Sequence, residues 1–355
     1  MLYITNRQKI QEYRDSPAIN QSSLKKLLSG MKEFLSEREE KITEPMIIGS
    51  AVDTILTGEE GDFEELFYIP SCPKPSDLLC SILQEVLDRS QNKQLPLEDN
   101  QQILEEVIEA FSYQPNWKIA TRVNKVLENA AYYESLQKSL DKVVISEEQL
   151  SIITSIVDSL RTNMTTESFF AREKYANNLN WDIYYQLPIY WSYQGIDCKG
   201  LLDIVIVRKE DGIVKDVIPI DLKIIMDKVL NFHNNARLRR YDIQGSYYTD
   251  GLLLSNSLPF EVNENTIRNF KFVVESYTET GTPLLLESSD EFLEIGRNGL
   301  PEIVIDGRVV RQEILGYRQL LELYSYYQKQ GWQEEKLIYD SNGVLVLDWD
   351  KIHGY

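Results

Sequence analysis

The sequence predicts an α/β (α+β) fold with strands flanked by helices on both sides, and three observations predict it. Apolar residues at three–four spacing dominate the chain up to about residue 160. Runs rich in Val, Ile, Tyr and Leu occupy 182–193, 200–207 and 217–223. Helical spacing returns over 228–252 and again near the end.

Leu24, Leu27, Leu28, Met31, Phe34 and Leu35 predict a helix over 21–37, with Asn20 or Ser22 able to cap it. Ala51, Val52, Ile55 and Leu56 predict a short helix between Gly49 and Gly58. From about 76 to 160 the pattern is almost wholly helical. One stripe is Ile103, Leu104, Val107, Ile108 and Phe111, and a Ser146-Glu147-Glu148-Gln149 capping box opens another helix. The Pro-containing stretch 72–76 is a plausible entry to a helical insertion or cap at about 76–145. With no long linker in sight, 1–355 reads as a single domain. A turn at 209–212 joins the second and third strands, 270–276 predicts a further strand, and 312–330 a last helix. The tail 333–355 forms a C-terminal extension with an apparent strand at 343–349.

The chain's 355 residues, 43% of them hydrophobic, suffice for a full core. No apolar run approaches the roughly 20 residues that cross a membrane. The first residues lack a secretory pattern, so a cytoplasmic protein with no membrane partner is expected. Three cysteines and two histidines supply a zinc site poorly and a four-cysteine cluster not at all. A metal here should therefore be a hard ion held by carboxylates. The net charge of −19 argues against tight, sequence-specific DNA binding, though not against catalysis on DNA.

The informative segment is KGLLDIVIVRKEDGIVKDVIPIDLKI, residues 199–224. Asp203 sits inside one apolar run. Asp221 and Lys223 end the next, two residues apart and hence on one face. If the strands pair across the turn, two carboxylates and an ammonium converge. Two bare carboxylates in contact would repel by roughly 4 kcal/mol at an effective dielectric of 20, so a cation is the natural reason to cluster them. By itself the Asp-x-Lys triplet also fits the outer face of an exposed hairpin.

The pattern Lys199-Gly200-Leu201-Leu202-Asp203 followed by Asp221-Leu222-Lys223 resembles the PD-(D/E)XK nucleases, in particular the exonuclease VIII (RecE-like) and RecB-like phage branch. The helix after it carries Gln244 and Tyr248, similar to that branch's Gln-x-x-x-Tyr motif. Arg237, Arg240 and Tyr241 share that face. Without the family these tyrosines read as half-buried aromatics and the arginines as a solvated face. INQSSLKKLLSG, IIGSAVDTIL and the closing LGYRQLLELYSYYQKQGW also resemble the branch, so the likeness spans about 19–332, patchily over 76–145.

The resemblance implies a restriction-endonuclease-like core, a central mixed sheet flanked by helices. It implies a Mg²⁺ (or Mn²⁺) ion held by Asp203, Asp221 and the Leu222 carbonyl. Asp53 stands where the branch has a histidine and is expected to serve as a further ligand; the alternative is a helix-surface aspartate. Asp203, Asp221, Lys223, Gln244 and Tyr248 would be the catalytic set, with Lys223 serving the attacking water. Arg237, Arg240 and Tyr241 would contact DNA. Gln186 stands where relatives often carry glutamate, which removes one acidic group. The implied activity is exonucleolytic resection of double-stranded DNA, with a single-strand annealing protein as partner and self-association into a ring or other oligomer. A structure-specific or single-strand endonuclease, or a catalytically silent DNA-binding scaffold, are the alternatives.

Overall fold

The computed structural model describes residues 3–4, 7–36, 42–170, 180–305, 308–311 and 313–332; the expected strand at 343–349 lies outside them. The chain opens with β1 (Tyr3–Ile4), α1 (Arg7–Asp15) and α2 (Gln21–Lys25). Asn20 caps α2, its side chain accepting the Ser23 N–H at 2.8 Å. The single helix expected over 21–37 is instead α2, a 3-10 turn (Lys26–Ser29) and α3 (Met31–Phe34). Gly30 breaks it by adopting a φ of 101°, open to glycine and costly for other residues. The apolar stripe survives the break, with Leu24, Leu27 and Met31 buried in one core. α4 (Glu44–Thr57) starts ahead of the expected Gly49 because Pro45 occupies its first turn, where a missing N–H costs nothing.

Contacts divide the chain into two compact units, Met1–Gly58 with Ser155–Tyr355, and Glu59–Thr154. The second holds α5 (Asp62–Leu66), β2 (Phe67–Tyr68), α6 (Asp77–Arg89), α7 (Gln101–Ala110), α8 (Ile119–Leu127), α9 (Ala130–Lys138) and β3 (Val143–Val144). Ile82, Leu83, Val86, Leu104, Val107, Ile108, Val126 and Tyr133 form its own apolar core. β2 and β3 pair in parallel. The start of α10 (Glu147–Thr162) carries the expected capping box: Ser146 Oγ accepts the Gln149 N–H at 3.1 Å, and Gln149 Oε1 accepts the Ser146 N–H at 3.0 Å.

The first unit continues with α11 (Glu167–Phe170), β4 (Trp181–Tyr193), β5 (Ile196–Glu210), β6 (Ile213–Ile225), α12 (Phe232–Leu238) and α13 (Tyr241–Leu254). Then come β7 (Lys271–Ser276), β8 (Leu284–Glu287), α14 (Asp290–Asn298), β9 (Ile303–Ile305), β10 (Arg308–Arg311) and α15 (Tyr317–Gln330). Six strands form one mixed sheet in the order β1-β4-β5-β6-β7-β8. β4–β5, β5–β6 and β7–β8 are antiparallel, while β1–β4 and β6–β7 are parallel. The α/β class with a central mixed sheet and flanking helices is thus as the sequence predicts. Positive φ at Asp211 and Gly212 forms the tight turn between β5 and β6. Helical spacing over 228–252 resolves into two helices, split at Arg240 with φ 52°. The helix expected from 312 starts at Tyr317, because Leu300 and Ile314 exchange backbone hydrogen bonds of 2.7 and 2.9 Å that keep the chain extended.

Asp250 on α13 ties the later helices together. It accepts from Arg297 of α14 at 2.8 Å and from the Tyr317 hydroxyl and Arg318 of α15 at 2.5 and 3.0 Å. Cys198 on β5 is buried. Burial above all pushes its thiol up to about 11, against a Tyr247 hydrogen bond and aided by the Asp197 charge. Cys72 and Cys80 are partly exposed. No helix among the described residues is long and apolar enough to cross a membrane.

Candidate functional site

Strand register sets the site. The β5–β6 ladder runs to the pair Ile204 and Ile220, so Asp203 and Asp221 come next, level with each other. On the other side, β4 and β5 pair Tyr185 with Ile204 and Leu187 with Leu202, which places Gln186 level with Asp203. One row across three strands is therefore Gln186, Asp203, Asp221. Lys223, two residues along β6, returns to the face of Asp221. Beyond the last ladder pair, Asp203 Oδ2 accepts the Leu222 N–H at 2.9 Å.

Asp221 is 4% exposed. Its Oδ1 accepts from Gln244 Nε2 of α13 at 2.5 Å, and its Oδ2 meets the Lys223 ammonium at 2.6 Å. Apart from that ion pair, the buried oxygen has no hydrogen-bond partner among the described residues. Burial alone would lower the pKa of Lys223, but the charges of Asp221 and Asp203, with Tyr241 and the Asp221 hydrogen bond behind them, outweigh it and hold it above the lysine range. Asp203 shows the opposite balance: burial first, then the charges of Asp221 and Asp53, push it well above the usual carboxylate range, with Lys223 and the Leu222 N–H opposing. Three acids here feel one another, against a single closely paired ammonium.

Asp53, on α4, is engaged by an amide. Gln186 Nε2 lies 3.3 Å from its Oδ1, 3.0 Å from its Oδ2 and 3.0 Å from Thr57 Oγ1. Thr57, one helical turn on, donates to the Asp53 carbonyl at 2.8 Å and to Oδ1 at 3.0 Å. Gln186 reaches this position with φ 47°, inside a strand and without being glycine. Such a conformation costs about 1–2 kcal/mol for an L-residue. Burial raises the Asp53 carboxyl to about 6; the Thr57 hydrogen bond, Lys223 and Gln186 pull it down and the Asp221 charge pushes it up.

Tyr248 packs against β5 at Gly200. A Cβ on Gly200 would lie 2.9 Å from Tyr248 Cε1, so the glycine of the Lys-Gly pair is what admits the ring. Burial, then Tyr13, Asp221 and Asp203, raise the Tyr248 hydroxyl well above the phenol range, against Gln21. Lys199, next to Gly200, points away into structure: its ammonium donates to the carbonyls of Tyr13 at 2.7 Å and Ser16 at 2.6 Å, anchoring the end of α1 to β5. Of the expected DNA contacts, Arg240 is held by Asp242 (2.8–3.2 Å) and the Leu315 carbonyl at 2.8 Å. Arg237 and its neighbour Arg239 are exposed. Tyr241 is buried, and the ammoniums of Lys223 and Lys25 stand 5.0 and 5.8 Å from its ring centroid. Burial first and Lys223 second lower Lys25 to about 8.

Sequence reasoning missed Lys25, Thr57, Tyr13 and Gln21. Thr57 alone carried a local signal, its i, i+4 spacing from Asp53.

The donor chemistry, three aspartates from three elements and a strand carbonyl, suits a hard divalent cation, and the mutual repulsion felt at Asp203 is what such a cation relieves. Among the described residues, however, no three Asp, Glu, His or Cys side chains close into a ligating cluster as the chain stands.

No protein-family model matches the chain. No curated protein matches it either. A solved structure described as "Putative exonuclease", from Eubacterium rectale, is similar over 99% of this chain and 93% of its own, at 10% identity and a TM-score of 0.40. A likeness of that size carries no argument about chemistry.

Proposed function

We propose that this chain is a divalent-cation-dependent DNA nuclease of the PD-(D/E)XK type, acting as an exonuclease on double-stranded ends. The observation that carries the reading is the level placement of Asp203 and Asp221 on paired strands, with Lys223 at 2.6 Å and Gln244 at 2.5 Å from Asp221. Asp203, Asp221 and the Leu222 carbonyl would hold Mg²⁺ or Mn²⁺, with Asp53 beside them. The ion, when bound, polarises a phosphate and lowers the pKa of water.

The chain's own groups do the rest. Lys223, paired with Asp221, would orient the attacking water or offset negative charge on the phosphate. Gln244 fixes the orientation of Asp221 through its amide. Tyr248, wedged on Gly200, keeps α13 close to β5. Arg237, with its exposed neighbour Arg239, would meet strand phosphates. Resection that feeds an annealing protein, and self-association that holds DNA by enclosure despite a charge of −19, complete the proposal.

A catalytically silent DNA-binding scaffold is the second reading, favoured by the Gln244 amide and the Lys223 ammonium already set against the two oxygens of Asp221. End-labelled linear DNA and closed circles, incubated with Mg²⁺ or Mn²⁺, separate the cases. The expected result is loss of linear DNA only, reduced about a thousandfold or more by Asp221→Asn and abolished by EDTA. Cutting of circles would indicate an endonuclease. Intact DNA in every lane would leave the scaffold.

A further inference from the structure

We propose that Gln186 is a positioning residue that limits this site to a single divalent cation, its amide nitrogen filling the place on Asp53 that a second cation would take. The inference rests on the hard-cation reading of Asp203 and Asp221. Three oxygens, both of Asp53 and the hydroxyl of Thr57, surround Gln186 Nε2 at 3.0–3.3 Å. An amide nitrogen has only two hydrogens to give them. A carboxylate presenting both oxygens, with a hydroxyl alongside, is the surrounding a cation takes; here an uncharged amide nitrogen, whose lone pair is tied up in the amide, stands in it.

Two features make this a built arrangement. Thr57 spends its proton on the Asp53 carbonyl and Oδ1, which leaves its lone pairs for Gln186. The backbone holds Gln186 at φ 47° in mid-strand, level with Asp203, a conformation that the side chain's contacts must sustain. Asp53 is thereby kept near the row of acids but closed on the side facing β4. With an oxygen in place of that nitrogen, the same position would gather four oxygens, two carboxylates among them, and would need a cation to hold them together.

Counting Mn²⁺ ions per chain by isothermal titration calorimetry tests this, with the electron paramagnetic resonance spectrum of the saturated protein as a second readout. The expected count is one for the wild-type chain and two for Gln186→Glu, the variant alone showing the spin-coupled signature of a Mn²⁺ pair. Gln186→Gly, which relaxes the backbone, is the companion should the glutamate variant fail to fold; it is expected to admit a second, weaker Mn²⁺. Two ions on the wild-type chain, or one on the folded variants at saturation, would overturn the inference while leaving the metal reading intact. No Mn²⁺ on the wild-type chain would overturn both.

Discussion

Gly200 shows how closely the site is fitted at the scale of single residues. A methyl group there would press on Tyr248 at 2.9 Å and on Ile189 at 3.2 Å, both buried. Gly200→Ala is expected to cost about 1–3 kcal/mol of stability, read from urea unfolding midpoints, since overpacking a core costs that much. The Asp221–Lys223 pair was legible in the sequence because strand alternation is local: two residues apart means one face. The hold of Gln186 on Asp53 was not, since the partners lie 133 positions apart and a positive φ at glutamine leaves no mark in the sequence. Lys25 escaped for the same reason; in its own helix it is one more lysine of a solvated-looking face, and only the fold brings it to the Tyr241 ring.

Two ionic junctions act between elements. Asp250 accepts from three donors on α14 and α15, so Asp250→Ala removes a shared acceptor from two partly exposed arginines and a buried hydroxyl and is expected to lose about 1–3 kcal/mol in the same unfolding assay. Asp216 on β6 is bound by Arg208 of β5 and by Arg268, which precedes β7. Burial would raise its pKa, but hydrogen bonds from Arg208 and Arg268, and then their charges, hold it below the carboxylate range. A depressed folded-state pKa stabilises above the unfolded value and is lost as pH falls through the folded one. Melting temperature should therefore drop below about pH 4 in the wild-type chain, and Asp216→Asn should remove part of that dependence. Element type was well marked in the sequence. Boundaries were less so, because the breaks at Gly30 and Arg240 depend on dihedrals that apolar spacing does not encode, and the late start of α15 depends on the Leu300–Ile314 pairing.

For the molecule as a whole, 56 acidic residues outnumber 37 basic ones, so a phosphate backbone would meet its cations amid an excess of like charge. DNA affinity of the Asp221→Asn variant should therefore fall only shallowly with salt, and Arg237→Ala should flatten the log–log slope by about 0.9, as one released counterion requires. A slope unchanged by that substitution would place the DNA elsewhere. The contact division into the unit with the six-stranded sheet and the mainly helical Glu59–Thr154 unit has a counterpart in the thiols: Cys72 and Cys80 belong to the helical unit, and the sealed Cys198 to the other. Maleimide dyes react with accessible thiolate, so they should mark the helical unit alone under native conditions. Native labelling thus gives the helical unit its own fluorescent reporter, and its melting can be followed separately from the sheet without adding or removing any cysteine.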